Sequence, residues 1–383
     1  MRSVPRVGPL AASPTTAPVL DVDGLLDDPE TRIIVCCGSG GVGKTTTSAS
    51  LALRAAERGR KVVVLTIDPA RRLAQSMGID QLDNTPRPVQ DVSGGSLDAM
   101  MLDMKRTFDE VVLAQASPEK AKQILENPFY IALSSSFAGT QEYMAMEKLG
   151  QLHREGGYDL IVVDTPPSRS ALDFLDAPDR LSSFLDGRFI RLMLAPARGP
   201  AKLMTAGFGI ITSALTKILG GQVLTDMQAF VAALDTVFGG FRQRAQQTYA
   251  LLQAHGTAFL VVAAPEPDAL REAAYFVERL SGDRMPLAGL IVNRATTEPP
   301  GELSAAGALA AVERLRAADD DGPTAGLLRL HADRARLVER EQQLRDRFSA
   351  AHPRVPTAVV PALAGDVHDL DGLREVGRLL AGA

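Results

Sequence analysis

The 383-residue sequence predicts an α/β fold in which helices flank a mainly parallel sheet. Short runs rich in β-branched residues alternate with longer helical stretches, and continuous apolar strands are typical of a sheet covered on both faces. Two long apolar intervals between strands predict, in addition, an inserted helical subdomain. The predicted strands are Arg32–Cys37, Lys61–Thr66, Leu160–Asp164, Ala258–Ala263, Leu287–Asn293 and Pro356–Val360.

The composition is that of a globular protein with a large core. Hydrophobic residues make up 45% of the chain, and the formal net charge is −5. Acidic and basic residues are interleaved, which argues against unaided electrostatic binding of nucleic acid. Cys36 and Cys37 are neighbours on a predicted strand, so their side chains point to opposite faces and are poorly placed to pair or to share a metal. This cysteine usage predicts a cytoplasmic location.

The chain is predicted to form one domain, residues 19–383, behind a mobile proline-containing tail at residues 1–18. The helical subdomain is predicted at about 97–150 and 178–250, where apolar residues recur at three-to-four spacing. No stretch predicts a signal peptide or a transmembrane segment. Residues 367–380 are predicted to form a helix that covers the sheet rather than a membrane anchor, because their polar face is rich in acidic residues.

A glycine-rich loop follows the first predicted strand directly. Gly38–Thr45 has the spacing G-x-x-x-x-G-K-S/T, and a helix is predicted after it. In this context the pattern is typical of a P-loop, whose backbone N–H groups and helix N-terminus bind phosphate. We therefore predict a P-loop NTPase that binds ATP or ADP with Mg²⁺ and hydrolyses ATP. The predicted nucleotide-binding residues of the loop are Gly40, Gly41, Val42, Gly43, Lys44, Thr45 and Thr46, and Lys44 is also predicted to act in catalysis.

Carboxylates follow the next two strands at their ends. Asp68 comes directly after the second strand and is predicted to orient the attacking water; the alternative is a helix N-cap ahead of Pro69. Asp164 ends the third strand, where a carboxylate holds Mg²⁺ in P-loop enzymes, and the Thr45 hydroxyl is the other predicted metal ligand. An ordinary turn-forming role is the alternative for Asp164.

Taken together, these motifs resemble the ArsA family, which includes the arsenite-pump ATPase and the ATPase that targets tail-anchored membrane proteins. The family loop KGGVGKT corresponds to Ser39–Thr45, its first switch DPAH to Asp68–Arg71, and its second switch DTAPTGHTL to Asp164–Leu172. The resemblance extends from about residue 30 to the C-terminus and looks closest to the actinobacterial branch.

The resemblance implies a nucleotide-gated dimeric ATPase with further site residues. Glu266 would reach across the dimer toward the nucleotide, and Asn293 would contact the adenine. For Asn293 a strand-terminating turn is the alternative. The resemblance also implies a partner, either a hydrophobic protein client or a membrane-associated process, so that a peripheral membrane contact stays open. A DNA-partitioning ATPase shares the loop but needs a basic surface that this acidic chain lacks.

Two departures from the family pattern qualify these expectations. Ser39 replaces the lysine that, in the family, reaches the partner's phosphates, which favours a heterodimer with a homologous subunit carrying KGGVGKT over a homodimer. The alternatives are that Arg71 or Arg72 substitutes for this lysine, or that the chain is a weakly catalytic or non-catalytic nucleotide-binding subunit. The cysteines lie on the P-loop strand and the family's zinc-binding CxxC is absent, so neither arsenite transport nor a zinc clasp is expected.

Overall fold

The computed structural model describes residues 17–68, 72–128, 130–131, 134, 140–166, 243–299, 301–318 and 322–382. Eight strands form one sheet within these residues. They are β1 (Ile33–Cys37), β2 (Lys61–Thr66), β3 (Arg87–Pro88), β4 (Ser96–Met101), β5 (Leu160–Asp164), β6 (Thr257–Ala263), β7 (Leu287–Ala295) and β8 (Thr357–Pro361).

The sheet confirms the predicted α/β architecture. Its strand order is β3-β4-β2-β5-β1-β6-β7-β8, and neighbouring strands are parallel except for the short β3, which is antiparallel to β4. The central strands β1, β5 and β6 are buried along their whole length. Continuous apolar sequence is required there because helices cover both faces.

The helical interval predicted from about residue 97 begins later than predicted. Ser96–Met101 form β4, which pairs with β2 along six residues, so Met100 and Met101 lie in the sheet. The Leu, Ala and Met residues of this segment favour helices in isolation, and the pairing with β2 overrides that preference. β3 was also not predicted from the sequence.

Ten helices with defined ends complete the described part of the chain, and residues 243–252 are helical as well. The helices are α1 (Val22–Asp27), α2 (Lys44–Glu57), α3 (Arg72–Ser76), α4 (Met104–Gln115), α5 (Pro118–Leu125), α6 (Thr140–Glu155), α7 (Pro267–Gly282), α8 (Ala305–Ala317), α9 (Pro323–Ala351) and α10 (Leu370–Leu380).

The C-terminal helix α10 packs on α2 and β8, as predicted from its acidic polar face. Leu373, Val376 and Leu380 are buried in the main core. Arg374 donates to the Glu57 carboxylate at 2.8 Å, at the end of α2. The apolar face of α10 is therefore occupied by the protein itself, and no helix in the described residues is long and apolar enough to cross a membrane.

Several methionines of the predicted helical subdomain are core residues. Met144 and Met146 of α6 are fully buried, like Met100 of β4. These three side chains therefore pack within the protein.

Some predicted features fall outside the described residues. They are residues 1–16 of the predicted tail, residues 69–71 of the first switch, residues 167–172 of the second, and residues 178–242 of the helical subdomain. Of the tail, residues 17 and 18 are described, and the Pro18 carbonyl accepts a hydrogen bond from Thr357 N at 2.8 Å on the edge strand β8. The division into a tail and a helical subdomain stays a prediction.

Candidate functional site

The candidate site lies where the carboxyl ends of the central parallel strands meet. The glycine-rich loop leaves β1, Asp68 follows β2, Asp164 ends β5, and Asn293 lies near the end of β7. Open α/β sheets bind ligands in this position, outside the carboxyl ends of their strands. The topology thus brings four separate sequence segments to one edge.

The loop has a backbone that requires glycine at defined positions. Gly38, Gly41 and Gly43 have φ values of 149°, 77° and 94°, which side-chain-bearing residues rarely adopt. A Cβ at Gly38 would lie 2.1 Å from the Val262 carbonyl oxygen, and one at Gly43 would lie 2.2 Å from the Asn293 amide nitrogen. Glycine is therefore needed at these two positions both for conformation and for space.

Helix α2 begins at Lys44, with Gly43 at its N-cap. The first N–H groups of a helix have no partner within the helix and carry a partial positive charge, so the loop and the helix start together suit an anion. Lys44 is buried, and its Nζ donates to the Ser39 carbonyl oxygen at 2.8 Å. Burial lowers the pKa of Lys44, which the charges of Asp164 and Asp68 partly offset.

Asp164, at the end of β5, is hydrogen-bonded both to the end of the loop and to the end of the neighbouring strand β2. Its Oδ2 accepts hydrogen bonds from the Thr45 hydroxyl at 2.8 Å and from the Thr66 hydroxyl at 2.9 Å. The residue is fully buried. Burial raises the pKa of Asp164 to about 6, although the hydrogen bonds from Thr45 and Thr66 and the charge of Lys44 act in the opposite direction.

The donor set around Asp164 fits Mg²⁺. Asp164 Oδ1 is buried and has no hydrogen-bond partner among the described residues, and the Thr45 hydroxyl lies against the other carboxylate oxygen. Magnesium prefers such oxygen ligands and commonly takes one or two from the protein, the remainder being phosphate and water. The described residues contain no group of three or more His, Cys, Asp or Glu side chains arranged for a metal, so phosphate and water would complete the shell.

Asp68 lies beside this cluster, half-buried just beyond β2. The backbone N–H of Asp68 donates to the Thr66 hydroxyl at 3.2 Å, and the Thr66 hydroxyl in turn donates to Asp164. The Asp68 charge also raises the pKa of both Lys44 and Asp164. Residues 69–71 are outside the described part, so the alternative role of Asp68 as a helix N-cap is untested.

Two consecutive residues near the end of β7 contact the loop from the other side. Asn293 is buried, and its Nδ2 donates to the Val42 carbonyl oxygen at 2.9 Å. The guanidinium of Arg294, an exposed side chain, donates to the Gly41 carbonyl oxygen. The predicted contact of Asn293 with adenine is untested, but its amide is engaged with the loop.

An open cleft of about 700 Å³ runs from the loop to the segment after β8. It is lined on one side by Gly41, Gly43, Thr45 and Thr46, and on the other by residues 360–368. Asn293 and Arg294 lie between the two walls, and Arg72 also faces the cleft. The volume is in the range of small-molecule sites in proteins.

The structure does not bring every predicted residue into contact with the loop. Glu266 is exposed at the N-cap of α7, after the carboxyl end of β6, and within the described parts of the chain it forms no hydrogen bond or ion pair with residues 38–46. Cys36 and Cys37 are both free and buried in β1, which confirms that they are core residues. Burial raises the pKa of the Cys36 thiol to about 12, so this thiol is inert at neutral pH.

Sequence reasoning missed Thr66 and Arg294. Thr66 was predicted only as the last residue of a strand, although its place two residues before Asp68 could have signalled a polar side chain at the site. Arg294 directly follows Asn293, but no sequence pattern predicts that its backbone bends toward the loop.

Comparison with known proteins identifies the family. A family model described as anion-transporting ATPase matches residues 31–313. The chain is 32% identical to an ATPase GET3 of Malassezia globosa over 165 residues, which is 43% of this chain and 47% of that protein. It is 30% identical to a putative arsenical pump-driving ATPase of Halobacterium salinarum over 44% of this chain and 27% of that protein.

A longer alignment joins the chain to an ATPase GET3 of Podospora anserina. The two are 26% identical over 285 residues, which cover 73% of this chain and 78% of that protein. The first two relatives, in contrast, are matched over less than half of their own length.

Proposed function

The chain belongs to the anion-transporting ATPase family, and from this premise we propose that it binds ATP with Mg²⁺ in the loop at residues 38–46 and hydrolyses it. Backbone N–H groups of the loop and of the α2 N-terminus bind the phosphates, and Lys44 neutralises charge on the β- and γ-phosphates. Thr45 and Asp164 hold the metal, which would supply charge neutralisation at the transferred phosphate. Asp68 orients the attacking water.

One observation carries this proposal: the Thr45 hydroxyl and the Asp164 carboxylate meet at 2.8 Å, although they are 119 residues apart. A threonine at a helix start and an aspartate at the end of an adjacent strand are the two protein ligands of Mg²⁺ in P-loop enzymes. The buried, unpartnered Asp164 Oδ1 is a second support, since an unsatisfied buried carboxylate oxygen is costly unless a ligand uses it.

Measuring phosphate release from Mg-ATP tests the proposal that the protein hydrolyses ATP with Asp68 orienting the attacking water. Asp68→Asn is expected to lower turnover by roughly 10²-fold or more, as for loss of a group that handles the attacking water, while Mg-ADP affinity changes little. Lys44→Ala is expected to lose both binding and turnover. Lys105→Ala is the control, because Lys105 is exposed on α4 and pairs with Asp109. Unchanged turnover in Asp68→Asn would contradict catalysis and favour a structural role for the nucleotide.

Ser39 favours a second candidate, a weakly catalytic subunit of a dimer with a homologous chain that carries the family lysine. Its carbonyl oxygen accepts from Lys44 Nζ, so the position lies within the phosphate-binding loop. A cation supplied in trans can accelerate phosphoryl transfer by roughly 10³–10⁵. If a homodimer lacks this cation at both sites, Ser39→Lys should raise turnover of the isolated chain strongly.

The control for this test is Ser39→Gln, which adds a long side chain without charge. Sedimentation of the native chain with Mg-ADP and Mg-ATP measures whether a nucleotide-dependent dimer forms. The heterodimer would be excluded if the native chain alone hydrolyses ATP as fast as the Ser39→Lys variant and as fast as its mixture with a homologous chain that carries KGGVGKT.

The most specific part of the proposal is that the protein binds a hydrophobic protein client, and this part rests on the family resemblance alone. The buried positions of Met100, Met144 and Met146 do not support it, because these side chains are in the core. Photocrosslinking to apolar helical peptides with ATP and with ADP measures it. Crosslinking yields that are the same with ATP and with ADP would contradict a nucleotide-gated client site.

A further inference from the structure

Two successive carbonyl groups of the loop are held from outside by two successive side chains of β7. Asn293 Nδ2 donates to the Val42 carbonyl oxygen at 2.9 Å, and the Arg294 guanidinium donates to the Gly41 carbonyl oxygen. The contacts join segments about 250 residues apart in sequence. We call Asn293 and Arg294 the carbonyl clamp.

The backbone of β7 is distorted where the clamp is formed. Arg294 has φ of 60°, in the left-handed region that is unfavourable for a side-chain-bearing residue. Between Val292 and Ala295 the strand uses three residue steps where β8 uses two, which is a β-bulge. Bulges beside functional sites redirect a side chain, and here the bulge accompanies the approach of Arg294 to the loop.

The Arg294 contact is a charge-assisted hydrogen bond, a class roughly twice as strong as a neutral one. Among the residues that the structure describes, Arg294 forms no ion pair, and the Gly41 carbonyl is its hydrogen-bond acceptor. A cation is thus placed against the phosphate-binding loop, and no carboxylate in the described part of the chain pairs with it.

Because peptide groups are planar, these two contacts also fix the direction of the N–H groups that follow the two carbonyls. In a trans peptide the C=O and the following N–H point in opposite directions. A Gly41 carbonyl held from outside directs the Val42 N–H inward, and a Val42 carbonyl held from outside directs the Gly43 N–H inward. Glycine at 41 and 43 gives these peptide units the freedom to rotate, so their direction needs an external constraint.

We propose that the carbonyl clamp presets the N–H groups of Val42 and Gly43 to bind the phosphate groups of a nucleoside di- or triphosphate. This rests on the proposed function, because it names residues that position the same loop. Asn293 and Arg294 are positioning residues: they act on phosphate through the loop peptides, and the nature of the base is irrelevant to them. Preset donors bind an anion without the cost of reorganisation.

The experiment compares Mg-ADP with Mg-pyrophosphate, which has no base. Arg294→Asn removes the guanidinium but keeps a residue that tolerates the left-handed conformation, and Asn293→Ala removes the amide. Each is expected to weaken both ligands by a similar factor, roughly ten- to a hundredfold for a lost charge-assisted bond and less for the neutral one. Arg294→Lys, which retains a charged donor, should recover part of the loss.

Arg284→Asn is the matched control. Arg284 is also exposed and has φ of 55°, but it precedes β7 at the end opposite the site. Its substitution should leave both affinities unchanged. Thermal unfolding of each variant without ligand confirms that the fold is retained.

Two results would overturn the clamp while leaving the proposed function intact. One is a loss in Asn293→Ala that is confined to Mg-ADP, which would make Asn293 a reader of the base. The other is an Arg294→Asn variant that binds both ligands as tightly as Arg284→Asn does. A native chain that binds neither ligand would overturn the proposed function and the clamp together.

Discussion

The ionised form of Asp164 lowers the free energy of unfolding when no ligand is bound. Burial raises its pKa to about 6, against 3.8 for an ordinary aspartate, despite two hydroxyl donors on Oδ2. A carboxyl whose pKa is higher in the folded state binds more protons when folded than when unfolded. The contribution of Asp164 to stability therefore falls as pH rises from about 4 to about 6 and stays constant above that range.

Replacement of Asp164 by asparagine tests this cost. With a chelator and no nucleotide, the free energy of unfolding of Asp164→Asn relative to the native chain should rise by about 2 kcal/mol from pH 4 to pH 7. Urea unfolding at a series of pH values measures it, and the other titrating groups cancel in the difference. Parallel stability profiles for the two proteins would mean that Asp164 does not carry this penalty.

Gly43 tolerates a side chain poorly for two separate reasons. It has φ of 94°, and a Cβ would lie 2.2 Å from Asn293 Nδ2. Gly43→Ala should therefore cost more than the roughly 1–2 kcal/mol of left-handed strain alone, and it should weaken Mg-ADP binding. Urea unfolding and titration calorimetry measure the two effects.

Gly59→Ala is the control for Gly43, because Gly59 has φ of 100° and open space around its Cβ position. It should show the strain without the clash. The double variant Gly43→Ala/Asn293→Ala should recover the steric part of the cost. Equal destabilisation by Gly43→Ala and Gly59→Ala would show that Asn293 adapts freely.

At the scale of elements, a buried ion pair attaches the helix at residues 243–252 to α6. Arg244 Nε lies 2.9 Å from Glu147 Oε1, and only 16% and 7% of the two side chains are exposed. Arg154 also reaches Glu147, at 3.4 Å, but is nearly half exposed. The helix at 243–252 leads into the central strand β6, so this pair ties the entry of β6 to α6.

Arg244→Met should destabilise the protein by about 3 kcal/mol, because it removes the closest cation from the buried Glu147 and leaves it with the half-exposed Arg154 and the neutral Tyr143 hydroxyl. Chemical unfolding measures the loss. Lys122→Met is the control, since Lys122 and Glu126 are 4.0 Å apart and largely exposed, and it should change stability by less than about 0.5 kcal/mol. Arg244→Met/Glu147→Met should recover much of the loss, and failure to do so would indicate a packing role for Arg244.

At the scale of the whole molecule, ligand binding should stabilise the fold through the sheet edge. The loop, β2, β5 and β7 all contribute to the site, so a bound nucleotide joins segments that are distant in sequence. Mg-ADP at 100 times its Kd should raise the free energy of unfolding by about 2.7 kcal/mol. Lys44→Ala should abolish this gain at the same concentration. Thermal unfolding over a range of ligand concentrations measures it, and a native curve that does not move would contradict binding.

The sequence by itself determined the sheet core and the chemistry of the loop. Six of the eight strands follow from apolar β-branched runs, and the P-loop spacing with Asp68 and Asp164 follows from residue types at strand ends. These features are local, so they can be predicted without knowledge of the fold. β3 and β4 could not, because Leu97, Ala99 and Met100 favour a helix until a neighbouring strand pairs with them.

Only the tertiary structure decided which side chains meet. Thr45, Thr66 and Asp164 come together because parallel pairing brings the ends of β2 and β5 to the start of α2. Arg294 reaches the loop from the point where the register between β7 and β8 shifts, and this register exists only once the two strands are paired. Local sequence carries the preferences of a segment for strand, turn or helix, whereas contacts across more than a hundred residues depend on the strand order of the folded sheet.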